Sequence, residues 1–264
     1  MTPLVSPDSD PEINPALDPA LNPDAPPPEP AFPFWTYGDL LLFVGLAILA
    51  LILSQLAVLG ASKMLHLPAT SQEVLAIPAQ FLAYGLIFGV LYALFHLHYG
   101  QPMMASLGWN RSGMKAIAAL ALGFGLSFLI ALLGGLLRIP NTDTPMKHLM
   151  ANPTGLLLIG LFATTLGPLC EELIFRGFLQ PLLVRSFGAA PGILLTAVPF
   201  GLLHLQQYGN AWQSGVLITF AGAVFGMVRH VTNSTRASTS VHAAYNSTLF
   251  LALLFSGRTL PLKW

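Results

Sequence analysis

Leu166-Gly167-Pro168-Leu169-Cys170-Glu171-Glu172-Leu173-Ile174-Phe175-Arg176-Gly177 sets two adjacent carboxylates and a guanidinium inside an otherwise apolar run. No Asp, Glu, Lys or Arg occurs between Lys147 and Glu171, and largely apolar residues resume through Val184. An ionisable side chain at bilayer depth costs about 2.5–3.5 kcal/mol on insertion scales. Such groups face a protein interior or a water-filled pocket, so chemistry is expected here.

The surroundings support the membrane reading. The chain is 54% hydrophobic and only 8% charged, against about 25% charged in an average soluble protein, and its mean hydropathy is +0.68. An integral, multi-pass membrane protein is expected. Formal net charge is zero, which indicates neither nucleic-acid binding nor a general pull toward anionic lipid. The lone Cys170 excludes an internal disulfide and a Cys-based zinc cluster. Residues 1–33 are rich in Pro and Asp, lack Lys and Arg, and show no apolar periodicity, so a disordered tail is expected. No basic start leads into a short apolar stretch, so no cleaved leader is expected.

Working outward, Phe34-Trp35-Thr36-Tyr37 reads as an aromatic cluster for a membrane interface. Asp39 and Lys63 bracket an uncharged run long enough for one span, for which about 20 residues suffice. A second span fits between Glu73 and His98, and a third between Lys115 and Arg138. The fourth starts near Gly155 and carries the Glu pair. Ser186 to Val228 contains no Asp, Glu, Lys or Arg; the polar break Gln206-Gln207-Tyr208-Gly209-Asn210 divides it into a short fifth helix and a sixth. A seventh covers about Ser238 to Phe255. The expected fold is an all-α polytopic bundle of seven to eight spans over residues 34–264. Pro78, Pro168, Pro181 and Pro199 are expected to kink or widen helices. Gly123-Phe124-Gly125 and Gly134-Gly135 are expected at close helix contacts. Lys and Arg split evenly between the two sides: Arg111, Lys115, Arg185, Arg229 and Arg236 against Lys63, Arg138, Lys147, Arg258 and Lys263. The positive-inside rule therefore assigns no orientation.

Three polar motifs fall on separate helices. In Glu171-Glu172-x-x-x-Arg176, Glu172 and Arg176 are i,i+4 neighbours that can pair, while Glu171 points about 100° away. His204 ends the Phe200-x-x-x-His204 stretch. His242 and Asn246 share one helix face and could aim at one substrate oxygen or merely cross-link helices. Read alone, each also fits a structural role: a buried ion pair, an interfacial histidine, an interhelical hydrogen bond.

Together, in this order, the motifs resemble those of the CPBP family of intramembrane proteases. That family groups CAAX prenyl proteases with bacterial relatives linked to bacteriocin processing and immunity. Its pattern of Glu-Glu-x-x-x-Arg, Phe-x-x-x-His and His-x-x-x-Asn is met here by Glu171, Glu172 and Arg176, by Phe200 and His204, and by His242 and Asn246. The Gly-containing helix Phe220–Gly226 lies between the last two motifs. The resemblance covers about residues 150–255. It implies a glutamic intramembrane endopeptidase without cofactor or metal, acting on a peptide or protein substrate that is lipid-modified in some relatives. It implies that Glu171 is the general base, assisted by His204. By the same resemblance His242 and Asn246 stabilise the oxyanion, and Glu172 and Arg176 position the base.

The residue types suit that chemistry on their own terms, since peptide hydrolysis needs a base for water and donors at the developing oxyanion. Cys170 reads as a small packing residue. The alternatives are a zinc-dependent protease using the two Glu and two His, a non-catalytic scaffold or immunity protein, and a proton-coupled transporter. There is no His-Glu-x-x-His motif, and no internal repeat of the kind transporters carry.

Overall fold

The computed structural model describes residues 32–66, 72–140, 144, 147, 150–151 and 153–255. Apart from its last two residues, the segment expected to be a disordered tail lies outside them. The described chain from Trp35 onward consists of helices joined by loops, with no strand among the described residues. Helix α1 spans Tyr37–Met64, and α2 spans Gln72–Tyr92 with a π-helical extension Ala93–His98. A single turn, α3 (Met103–Ser106), lies in the loop before α4 (Ala116–Leu136). Then come α5 (Pro153–Thr164), α6 (Leu166–Glu172), a π segment Leu173–Leu179, and α7 (Gln180–Phe187). Helix α8 is Ala189–Leu203, followed by a 3-10 turn Leu205–Tyr208, α9 (Trp212–Thr232) and α10 (Thr235–Phe255).

Five helical runs among the described residues are long and apolar enough to cross a membrane: Tyr37–Met64, Leu75–His98, Ala116–Leu136, Gly155–Phe187 and Trp212–Thr232. They coincide with the expected first, second, third, fourth and sixth spans. The expected fifth is the shorter apolar helix α8. The expected seventh is α10, which begins three residues earlier than anticipated because Ser234 serves its N-terminus, its hydroxyl accepting from Ala237 N–H. Large side chains such as Leu41, Ile117, Phe128 and Leu157 point outward and are exposed, as suits an integral membrane protein whose outer surface meets lipid.

Local chemistry explains where these helices start and bend. Thr36 caps α1 in a reciprocal box with Asp39. Between α5 and α6 the helix breaks at Thr165, whose φ/ψ of −128/−81 is non-helical. Pro168 follows and has no N–H to return to Thr164. The π segment sits just before Pro181, another residue without a donor, and Gln180 N–H bonds back to Phe175 O across the widened turn. Such π-bulges insert one residue per turn and re-aim the side chains around them.

The core lies where α4, α9 and α10 meet, with Leu126, Leu217, Phe225, Val241 and Tyr245 buried together. Gly123 lets α4 cross α10 closely, since a Cβ there would come within 2.6 Å of Ala244 Cβ and 2.7 Å of Val241 O. Gly125 and Gly135, expected at contacts too, meet nothing within 4 Å. They lie on the outward side of the same helix. The interfacial role expected for Trp35 is also corrected. Its ring is 0% exposed, lies between Phe95 and Phe178, and donates Nε1–H to Phe178 O at 3.0 Å. The indole N–H needs an acceptor when buried, and the π segment supplies one.

Candidate active site

Four elements deliver the polar residues to one place: α6, the π segment, the end of α8 and the first half of α10. Glu172 and Arg176 are both 0% exposed and pair at 2.9 Å across one helical turn, as their spacing predicts. Arg176 also donates Nη2–H to Gly222 O on α9 at 2.7 Å. Its guanidinium carbon lies 4.4 Å from the centre of the Phe200 ring, a cation–π arrangement. Four residues on, Gln180 repeats the pattern, with Nε2 donating to Gly226 O at 2.9 Å. Two side chains one turn apart thus hold two carbonyls one turn apart. Glycine suits both acceptor positions: a Cβ at 222 would press on Arg176 Nη2 at 3.1 Å and one at 226 on Gln180 Oε1 at 2.9 Å.

The two histidines converge on the other carboxylate. His242 is buried, stacked on Phe225 with ring centres 4.4 Å apart. Its Nδ1 stands 3.0 Å from Glu172 Oε1, and its Nε2 stands 3.9 Å from Glu171 Oε2. His204, the residue that ends α8, presents its Nε2 to the same Glu171 oxygen, also at 3.9 Å. Its Nδ1 is 2.7 Å from Phe200 O. A carbonyl can only accept, so Nδ1 carries the proton and the neutral ring offers its Nε2 lone pair. The same holds for His242 if Nδ1 donates to the carboxylate already bound by Arg176. Three acceptor atoms then face one point. A separation of 3.9 Å is too long for a hydrogen bond and is short enough for a single water to bridge the two atoms.

Burial divides the group. The side chains of Glu171 and His204 are 20% and 19% exposed, whereas those of Glu172 and Arg176 are sealed and that of His242 is at 5%. Glu171 and His204 therefore face the accessible side, backed by a closed polar layer. The expectation that Glu171 and Glu172 act apart is refined: they diverge, yet face the two nitrogens of one imidazole, Glu172 within hydrogen-bond reach of Nδ1 and Glu171 3.9 Å from Nε2. Asn246 lies one turn beyond His242, and its amide donates to Ala163 O at 2.7 Å, at the break before α6. Its observed contact is with backbone freed by that break, not with Glu171. Cys170 is buried, as its packing role requires. Among the described residues no group of three or more His, Cys, Asp or Glu is arranged to hold a metal ion.

Sequence reasoning did not single out Gln180, Gly222 or Gly226 as a matched set. The i,i+4 spacing from Arg176 to Gln180 and from Gly222 to Gly226 was the available signal, but the pairing of two distant stretches is not written in either.

The order of these motifs corresponds to that of a known family. Residues 153–248 match the profile described as Type II CAAX prenyl endopeptidase Rce1-like. The chain contains a CPBP/Rce1-like domain. This domain runs from the start of α5 to the middle of α10 and holds every residue of the cluster, while α1–α4 lie outside it. Comparison with curated proteins and with solved structures gave no match. The Rce1-like domain is thus a membrane-protease fold with buried His–Glu contacts, in agreement with a Glu/His centre.

Proposed function

We propose that this protein is a glutamic intramembrane endopeptidase that hydrolyses a peptide bond in a peptide or protein substrate at the membrane. A single observation carries the reading: Glu171 Oε2 is approached by two imidazole Nε2 atoms, each at 3.9 Å, on the accessible side of a sealed ion pair. Water held there gives its proton to Glu171, with His204 as a second acceptor, and attacks the substrate carbonyl. The proton then passes to the departing amine. Glu172 and Arg176 hold the helix and the His242 ring. Oxyanion stabilisation is assigned to His242 and Asn246: donation from His242 Nε2 requires the doubly protonated ring, and Asn246 has a second N–H beyond the one given to Ala163 O. The family profile supports a substrate that is a protein tail, prenylated or not, and the resemblance to a family with bacterial members suggests a bacterial inner membrane as the setting.

The test is cleavage of a candidate peptide library by purified protein in detergent or nanodiscs. Glu171→Ala and His204→Ala should each abolish cleavage while leaving helicity and monodispersity intact. Wild-type turnover by Glu171→Ala would remove the assigned base. Cellular function surviving in that variant, with no cleavage by either protein, would favour the scaffold reading.

A further inference from the structure

Lys and Arg divide evenly between the two ends, yet the fold draws several cations of one end into a cluster. The loop before α4 is stitched to the turn between α9 and α10. Ser234 Oγ donates to Asn110 O at 2.7 Å, Asn110 Nδ2 to Asn233 O at 3.1 Å, Thr235 N–H to Gly108 O at 2.9 Å and Thr235 Oγ1 to Leu107 O at 2.6 Å. This gathers Arg111 and Lys115 with His230 and Arg236 at one end of the bundle, all four exposed. Beneath them Arg229 is 5% exposed, with Nη1 on Asn233 Oδ1 at 2.8 Å and Nε unpartnered. Gly108, at φ +72, lets the loop pass over it; a Cβ there would lie 2.6 Å from Arg229 Nη2.

None of these cations pairs with a carboxylate among the described residues. The one described carboxylate at this end is Asp39, which accepts from Tyr99 at 2.6 Å and Thr36 at 2.8 Å. Beside the cluster is a cavity of about 580 Å³ lined by Gly113, Met114, Lys115, Ala118, Val231 and Thr232. Its lining is divided in chemistry: Lys115 and Thr232 are polar, whereas Met114, Ala118 and Val231 are apolar. A like-charged face repels itself unless an anion meets it, and anionic headgroups are present at the end of a membrane bundle.

We infer that this face seats the headgroup of an anionic phospholipid, its phosphate among Lys115, Arg111 and Arg236 and its acyl chains along Ala118 and Val231. A free phosphate would answer the charge but leave the apolar part of the cavity wet. The divided lining therefore favours lipid.

The test uses the full chain in nanodiscs of phosphatidylcholine containing a minority of phosphatidylglycerol, with retained lipids counted by native mass spectrometry. The wild type should retain phosphatidylglycerol preferentially, less so at high salt. In the triple variant Arg111→Gln, Lys115→Gln, Arg236→Gln the preference should fall by about tenfold or more, since each cation near an anionic surface contributes severalfold. Lys115→Gln alone, which keeps every hydrogen bond of the stitched turn, should show a smaller loss in the same direction. Lys63→Gln with Arg138→Gln, two exposed cations at the other end, should leave the preference unchanged. No preference in the wild type, an equal loss in the opposite-end pair, or displacement of the lipid by millimolar inorganic phosphate would each overturn the proposal. The readout needs no substrate, so it stands or falls apart from the peptidase reading.

Discussion

His242 Nδ1 lies 3.0 Å from Glu172 Oε1, and this contact decides which nitrogen of the ring faces Glu171. The oxygen that accepts from His242 also accepts from Arg176, so orientation of the imidazole depends on a buried ion pair that never touches the accessible side. A histidine's second nitrogen is set by the hydrogen bond its first one makes. The same logic holds for His204 through Phe200 O. Activity and stability should therefore separate cleanly between the two glutamates.

Glu171 has no direct hydrogen bond, its nearest partners being 3.9 Å away. Glu171→Gln should cut the cleavage rate by about 10²–10⁴-fold, the usual contribution of a general base. The melting temperature in detergent should not fall. A variant that melts early would show Glu171 to be structural.

Glu172→Gln or Arg176→Met should behave in the opposite way. Removing one partner of a sealed pair leaves the other uncompensated, at a cost of about 3–5 kcal/mol. Thermal melts in detergent should record a large loss for either single change. The double variant Glu172→Leu, Arg176→Met should recover much of the stability, because no buried charge remains. It should recover no activity, because His242 then lacks its orienting acceptor.

Gly222→Ala should weaken both folding and cleavage. Its Cβ would press on Phe200 Cδ1 at 3.0 Å and Arg176 Nη2 at 3.1 Å, and overpacking of this kind costs about 1–3 kcal/mol. Gly125→Ala, with nothing within 4 Å of the new methyl, is the matched control and should melt and cleave like the wild type.

Cleavage should persist in a strong chelator. The described residues contain no cluster suited to a metal, and Glu172 is committed to Arg176 and His242. Activity lost on chelation and restored by zinc would transfer the mechanism to the metalloprotease alternative.

Much of the architecture was readable along the chain. Uncharged runs bounded by Asp39, Lys63, Lys115 and Arg138 mark where helices cross, because the cost of charge in lipid acts on each segment locally. The Glu172–Arg176 pair was readable for the same reason: helical spacing fixes which side chains meet within one element. The inward turn of Trp35 was not, since an aromatic residue at a helix start suits lipid headgroups or a protein groove equally well. Gly123 and Gly125 look alike in sequence too, and only the direction from which α10 approaches separates them.

By itself the sequence determined that this is an all-α membrane protein and that its few buried charges must meet, since periodicity, length and the cost of isolated charge are properties of single segments. Only the tertiary structure decided that Glu171 rather than Glu172 faces both Nε2 atoms, that Asn246 reaches Ala163 O, and that Arg111, Lys115, His230 and Arg236 share one end. Those outcomes depend on the rotation and depth of helices distant in the chain. Close packing and the satisfaction of buried donors settle that placement for the whole bundle at once.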